Sequence, residues 1–215
     1  MTAGPLPPPA LADAPAPQSD PVVADAATRQ PAPLLAGAVI PQPDPVVAAA
    51  AALGRRLKAL GGMAVTVESC TGGLIACALT ETAGSSAWFD RGFVTYTNEA
   101  KMELVGVSAA TLAAHGAVSE PVAAEMARGG LAHSGARLAM SVTGIAGPGG
   151  GVPGKPVGTV CFGWALAADG GDRAASGLVR TATLRFDGDR AQVRRQAALH
   201  ALQQGLLLLA ADPKD

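Results

Sequence analysis

The chain has 215 residues, a formal net charge of −1, 15% charged side chains, three cysteines and three histidines. That length supports one sizeable core without disulfide staples, and the near-neutral balance, lacking any basic stripe interleaved with aromatics, excludes nucleic acid as a partner. No apolar run reaches membrane-spanning length, and neither cysteines nor histidines fall at metal-ligand spacing, so no membrane association, no metal and no cofactor is expected.

Residues 1–42 differ from the rest. Twelve of the seventeen prolines fall in the first 45 positions, among alanines and small polar residues. Such a stretch lacks the apolar content to offset its ordering entropy and reads as a disordered tail. It has no basic start followed by an apolar run, and Arg29 is its only basic residue, so neither a secretory signal nor a transit peptide is expected. The odd cysteine count (Cys70, Cys77, Cys161) reads as reduced thiols of a cytoplasmic protein.

Residues 43–212 read as one domain. Asp44-Pro45 is an N-cap followed by proline at the first helical position, and Val46, Ala49, Leu53, Leu57 and Leu60 recur at helical spacing until Gly61-Gly62. Val65-Thr66-Val67 is strand-like and runs into Glu68-Ser69-Cys70-Thr71-Gly72-Gly73, a polar turn that opens a helix over about 72–82. A second strand is expected over 88–97, followed by a short helix capped by Asn98 and carrying Lys101. Ser119-Glu120-Pro121 starts a further helix to about 133, whose Gly129-Gly130 pair predicts close packing against a neighbour. Residues 138–142 form an apolar strand that ends in the glycine-rich stretch 143–151. Strands over 157–166 and 178–186 read as an antiparallel hairpin, and Asp187 or Asp189 caps a long last helix. Interleaved helices and strands predict an α/β fold, a three-layer α/β/α sandwich around a mixed sheet.

Three polar turns follow strands: the one at Ser69, the one from Tyr96 to Lys101, and Thr143-Gly144. Loops at the carboxyl ends of parallel strands gather into one crevice, so these residues converge if the strands are parallel. Each residue also has a plainer role. Ser69 can be a simple N-cap, Tyr96 a packing residue with a wet hydroxyl, and Lys101 a surface lysine. Backbone N–H groups from Cys70 to Gly72 are oxyanion-hole candidates at the entry to a helix. Cys70 is a rival nucleophile, since a thiol at a helix N-terminus would have a lowered pKa. Arg190, Arg194 and Arg195 open the last helix, either as a solvated face or with one of them, Arg194 foremost, reaching a phosphate.

These segments resemble the C-terminal domain of the competence/damage-inducible protein CinA. The resemblance rests on Glu68-Ser69-Cys70-Thr71-Gly72-Gly73, Gly84-Ser85-Ser86, the run from Arg91 to Lys101, Gly116-Ala117-Val118-Ser119-Glu120, Thr143-Gly144-Ile145-Ala146-Gly147-Pro148 and Lys155-Pro156-Val157-Gly158-Thr159-Val160. It runs in order over roughly residues 45–210, and the tail stands where longer family members carry another domain, as in a stand-alone form. The resemblance implies hydrolysis of nicotinamide mononucleotide to nicotinic acid mononucleotide and ammonia, a step in NAD recycling. It implies Ser69 as nucleophile with Tyr96 and Lys101 as its activating pair, either of which could take the proton. Around them, Cys70, Thr71 and Gly72 would meet the reacting carboxamide, Thr143 and Gly144 would position it, and the loop with Ala146 and Gly147 would approach the ribose phosphate. The alternatives are a nucleotide-binding regulatory module without turnover and an amidase for another small amide. The alanine- and leucine-rich helices offer more apolar face than one sheet covers, so a homodimer or higher homo-oligomer is expected.

Overall fold

The structure is a computed structural model and describes residues 44–167 and 177–211. The expected tail lies outside the described residues, as does most of the β-hairpin connection. Helix α1 (Pro45–Ala59) begins where the Asp44 side chain accepts from the Val46 N–H. Strand β1 (Ala64–Glu68) is buried along its whole length. Helix α2 (Leu74–Thr80), a single 3₁₀ turn (Ser85–Ala87) and strand β2 (Phe89–Val94) follow. Then come α3 (Asn98–Val105), α4 (Ala109–His115) and α5 (Glu120–Ala132). Strands β3 (Leu138–Gly144), β4 (Thr159–Leu166) and β5 (Leu178–Arg185) lead into α6 (Arg190–Ala210).

The five strands lie in the order β2-β1-β3-β4-β5. β1 pairs parallel with both β2 and β3, and the remaining pairs are antiparallel. The sheet is therefore mixed, and β4–β5 is the expected hairpin. From β1 the chain steps one way to β2 and then back across to β3. Such a reversal opens a crevice at the carboxyl ends of the parallel strands.

Helices α1, α2 and α6 cover one face, burying Leu53, Leu57, Ile75, Leu79, Leu202 and Leu209 against Met140, Phe162 and Trp164. Helices α3 and α5 cover the other, with Val122, Met126, Ala127 and Leu131 over Val65, Val67 and Ala139. Each such large side chain contributes about 1.5–3 kcal/mol by leaving water. The Gly129-Gly130 pair packs as expected: a Cβ at Gly129 would sit 1.8 Å from the Val105 carbonyl oxygen, and one at Gly130 2.8 Å from Val67 Cγ2.

Several boundaries differ from expectation. Helix α2 starts at Leu74, because Gly72 and Gly73 adopt φ values of +60° and +90° and complete the turn instead. The side chain that caps α3 is Thr97, accepting from the Ala100 N–H, so Asn98 is the first helical residue. Asp189 caps α6, in a reciprocal box with Gln192.

Candidate active site

The turn after β1 can be built from its hydrogen-bond donors. A buried N–H needs an acceptor, and the run from Ser69 to Ala76 has eight N–H groups to place. Ser69 donates to the Val142 carbonyl on β3, Gly72 to Ser69, and Leu74 to Thr71. The fully buried Glu68 carboxylate accepts three more, from Gly73 (3.0 Å), Ile75 (3.1 Å) and Ala76 (2.9 Å). Two N–H groups are left with no acceptor among the described residues, those of Cys70 and Thr71. The expectation of a free helix N-terminus is thus corrected: an internal carboxylate occupies it, and Gly72 is no longer an available donor.

Lys101 arrives from the first turn of α3. Its side chain is 1% exposed, and its Nζ lies 3.2 Å from Ser69 Oγ and 2.8 Å from the Thr95 carbonyl oxygen, with the Tyr96 and Thr97 carbonyls at 3.4 and 3.5 Å. Burial pushes its pKa below the ordinary lysine value, because an ammonium loses its water there. A serine hydroxyl in contact with a lysine of lowered pKa has the chemistry a nucleophile and its base require.

Cys70 lies beside this pair but in a different state. Its thiol is buried and pushed up to about 12, mainly by desolvation, with the Glu68 charge adding to the effect. The expected lowering at a helix N-terminus does not occur, because the loss of water on burial outweighs what the Cys70 N–H offers a thiolate.

A cavity of about 200 Å³ opens over Ser69. Cys70, Tyr96, Lys101, Thr143, Gly144 and Ala146 all line it, so the convergence expected from the sequence is observed. Thr143 Oγ1 donates to the Ala117 carbonyl, fixing the loop on that side. Gly144 is required by space: a Cβ there would sit 2.8 Å from the Thr159 carbonyl oxygen. Tyr96 is 58% exposed, and its hydroxyl accepts from Arg190 Nη2 at 2.9 Å rather than bonding Ser69 or Lys101.

The other expected residues lie just outside the cavity lining. Thr71 is buried. Gly72 makes the turn. Gly147 offers its carbonyl to Arg190 Nη1 at 3.0 Å. Arg194 donates from Nη2 to the Thr71 carbonyl at 2.7 Å.

Arg190 and Asn98 do line the cavity, although sequence reasoning gave Asn98 only a capping role and did not single Arg190 out of its cluster. Arg190 is the first residue of α6, 94 positions from the tyrosine it contacts, a separation at which sequence spacing carries no signal. Among the described residues no group of His, Cys, Asp and Glu could hold a metal ion, and no helix is long and apolar enough to cross a membrane.

Fold and site together define a three-layer α/β protein with a buried serine–lysine pair at the switch point of its sheet. Residues 47–209 match the model of the CinA C-terminal domain, and the chain belongs to that family. It is 58% identical over 154 residues to the nicotinamide-nucleotide amidohydrolase PncC of Enterobacter agglomerans, covering 72% of this chain and 89% of that protein. It is 54% identical over 151 residues to the protein of the same name from Escherichia coli K12, covering 70% and 87%. Among solved structures, the competence/damage inducible protein CihA from Agrobacterium tumefaciens superposes with a TM-score of 0.71 at 44% identity, over 80% of this chain and 99% of that one.

Proposed function

We propose that this chain hydrolyses the carboxamide of nicotinamide mononucleotide, giving nicotinic acid mononucleotide and ammonia for NAD recycling, with Ser69 as nucleophile. The contact between Lys101 Nζ and Ser69 Oγ, beside the unpaired Cys70 N–H on the cavity wall, carries the reading. The amidohydrolase names of the relatives supply the substrate class.

Neutral Lys101 takes the Ser69 proton as Oγ attacks the carboxamide carbon. The tetrahedral oxyanion is held by the Cys70 N–H, such a donor being worth about 3 kcal/mol of barrier. Lys101 returns the proton to the leaving nitrogen, ammonia departs, and an acyl ester remains on Ser69. Water, deprotonated by Lys101, attacks the ester. Collapse of the second oxyanion releases the carboxylate, and the proton on Lys101 restores the serine. Lys101 is thus the base of the expected activating pair. Tyr96 offers its exposed ring to the pyridinium and its hydroxyl to Arg190. Arg190, on the cavity wall, is the cation placed for the 5′-phosphate.

Ammonia release from nicotinamide mononucleotide, with free nicotinamide and other small amides run in parallel and no metal added, tests this directly. The mononucleotide should be the preferred substrate. Arg190→Ala should raise its KM about tenfold to a hundredfold, as expected for losing a charge-assisted hydrogen bond, with kcat little changed. Preference for a different amide would replace the substrate, and absence of turnover by the folded protein would leave a binding module.

A further inference from the structure

We infer that Glu68 and Arg194 are positioning residues that together leave the Cys70 N–H, on the cavity wall beside Ser69, free as the donor of an oxyanion hole. This rests on the serine-hydrolase reading above, and it gives Arg194 a different role from the phosphate contact expected of it.

Consider the peptide planes in turn. A trans peptide points its C=O and its N–H in opposite directions. Arg194 Nη2 at 2.7 Å and the Leu74 N–H at 3.3 Å both donate to the Thr71 carbonyl, which fixes the plane between Thr71 and Gly72. The Gly72 N–H, on the far side of that plane, donates to the Ser69 carbonyl at 3.1 Å. That bond fixes the plane between Ser69 and Cys70, and so aims the Cys70 N–H away from the Ser69 carbonyl.

Glu68 works from the other side. Its Oε2 accepts from Gly73 and Ile75 and its Oε1 from Ala76, so the first turn of α2 is saturated from within. Of the two unpaired donors, Cys70 is the one that lines the cavity, so an entering oxyanion meets its N–H. With both oxygens engaged and its side chain fully buried, Glu68 cannot itself serve as a base toward substrate. Arg194 serves the turn and not the cavity: its Nη2 donates to the Thr71 carbonyl, and the residue is not part of the cavity wall.

Labelling of the full-length protein by an alkyl fluorophosphonate tests the frame without relying on the natural substrate. Ser69 Oγ forms a bond to phosphorus, the P–F bond breaks, Lys101 takes the serine proton and fluoride leaves. The phosphoryl oxygen occupies the oxyanion position. Labelling rates at Ser69 would be read by mass spectrometry for wild type, Glu68→Gln, Arg194→Met, Arg194→Lys and Arg195→Ala, with circular dichroism to verify folding. Arg195, which pairs with Asp44 on the outside of α6, is the control.

Glu68→Gln has one acceptor oxygen where two are needed, and labelling should fall about a hundredfold. Arg194→Met should fall about tenfold or more, with Arg194→Lys partly restored and Arg195→Ala at the wild-type rate. In turnover, Arg194→Met should lower kcat and leave KM for the mononucleotide near the wild-type value. If Glu68→Gln does not fold, the Arg194 pair decides. Wild-type labelling in folded Arg194→Met would overturn the inference, as would a rise in KM alone, which belongs to a phosphate contact. An unlabelled wild type would also overturn it. Normal labelling without ammonia release would remove the substrate reading and leave the frame standing.

Discussion

A lysine at 1% exposure beside a serine hydroxyl is held where its charged form is poorly solvated. Desolvation dominates its shift, and the nearby Cys70 and Glu99 groups oppose it only in part. The proposed reaction needs the neutral amine, so kcat/KM should rise with pH and level off once Lys101 has lost its proton, with a midpoint below the ordinary 10.5. Lys101→Arg keeps the charge but cannot release a proton, and should lose about a hundredfold or more across the whole pH range. A flat profile in the wild type, or an active arginine variant, would remove Lys101 as the base. Ser69 and Lys101 were legible as strand-end polar groups in a charge-poor chain. The state of Cys70 was not, because it depends on burial and on a carboxylate whose hydrogen bonds reach eight residues along the chain.

At the scale of elements, α5 is pressed against α3 through glycine. A methyl at Gly129 would meet the Val105 carbonyl, part of the backbone of a packed helix that cannot swing aside. Gly129→Ala should therefore cost about 1–3 kcal/mol or more, read as a lower Tm in thermal unfolding. An unchanged Tm would mean that the two helices are not in close contact in solution. The glycine pair announced this packing because glycine is a poor helix former and needs another reason to be there. The long helices and buried strands were legible from periodicity. Helix α4 was not, since Ala109–His115 buries only Leu112 and so has no apolar stripe to read. The arginines of α6 could be named as a cluster but not sorted. Which of them reaches the cavity depends on how α6 is rotated against the turn after β1, 123 residues earlier.

For the whole molecule, the topology puts the groups of the proposed reaction at one end of three parallel strands and leaves the antiparallel half of the sheet to hold the shape. The start of α5 is tied to β5 by Glu120, which accepts from Thr181 Oγ1 at 2.6 Å and Thr183 Oγ1 at 2.8 Å. Those hydrogen bonds hold its carboxyl below the usual carboxylate range. A lowered native pKa means the native state binds fewer protons than the unfolded chain. The tie thus contributes fully above the ordinary value of 4.5 and is lost as pH falls through the lowered one. Glu120→Gln should narrow the gap between Tm at pH 7 and Tm in mild acid, and an unchanged gap would show that the tie does not hold in solution. The interleaving of helices and strands made the α/β class legible. The strand order was less so, because only the short β4–β5 connection fixes a neighbour from local sequence. A larger cavity, about 640 Å³, lies between β5 and α6 and contains His200, but no nucleophile–base pair. The proposed chemistry is therefore assigned to the smaller cavity at the switch point. The most direct test is to acid-quench the protein during turnover of nicotinamide mononucleotide and find the acyl adduct by peptide mass spectrometry, in wild type, Ser69→Ala and Cys70→Ala. An adduct on the Ser69 peptide in wild type and Cys70→Ala, absent in Ser69→Ala, is the predicted result. An adduct lost only in Cys70→Ala, or sustained ammonia release by Ser69→Ala, would contradict it.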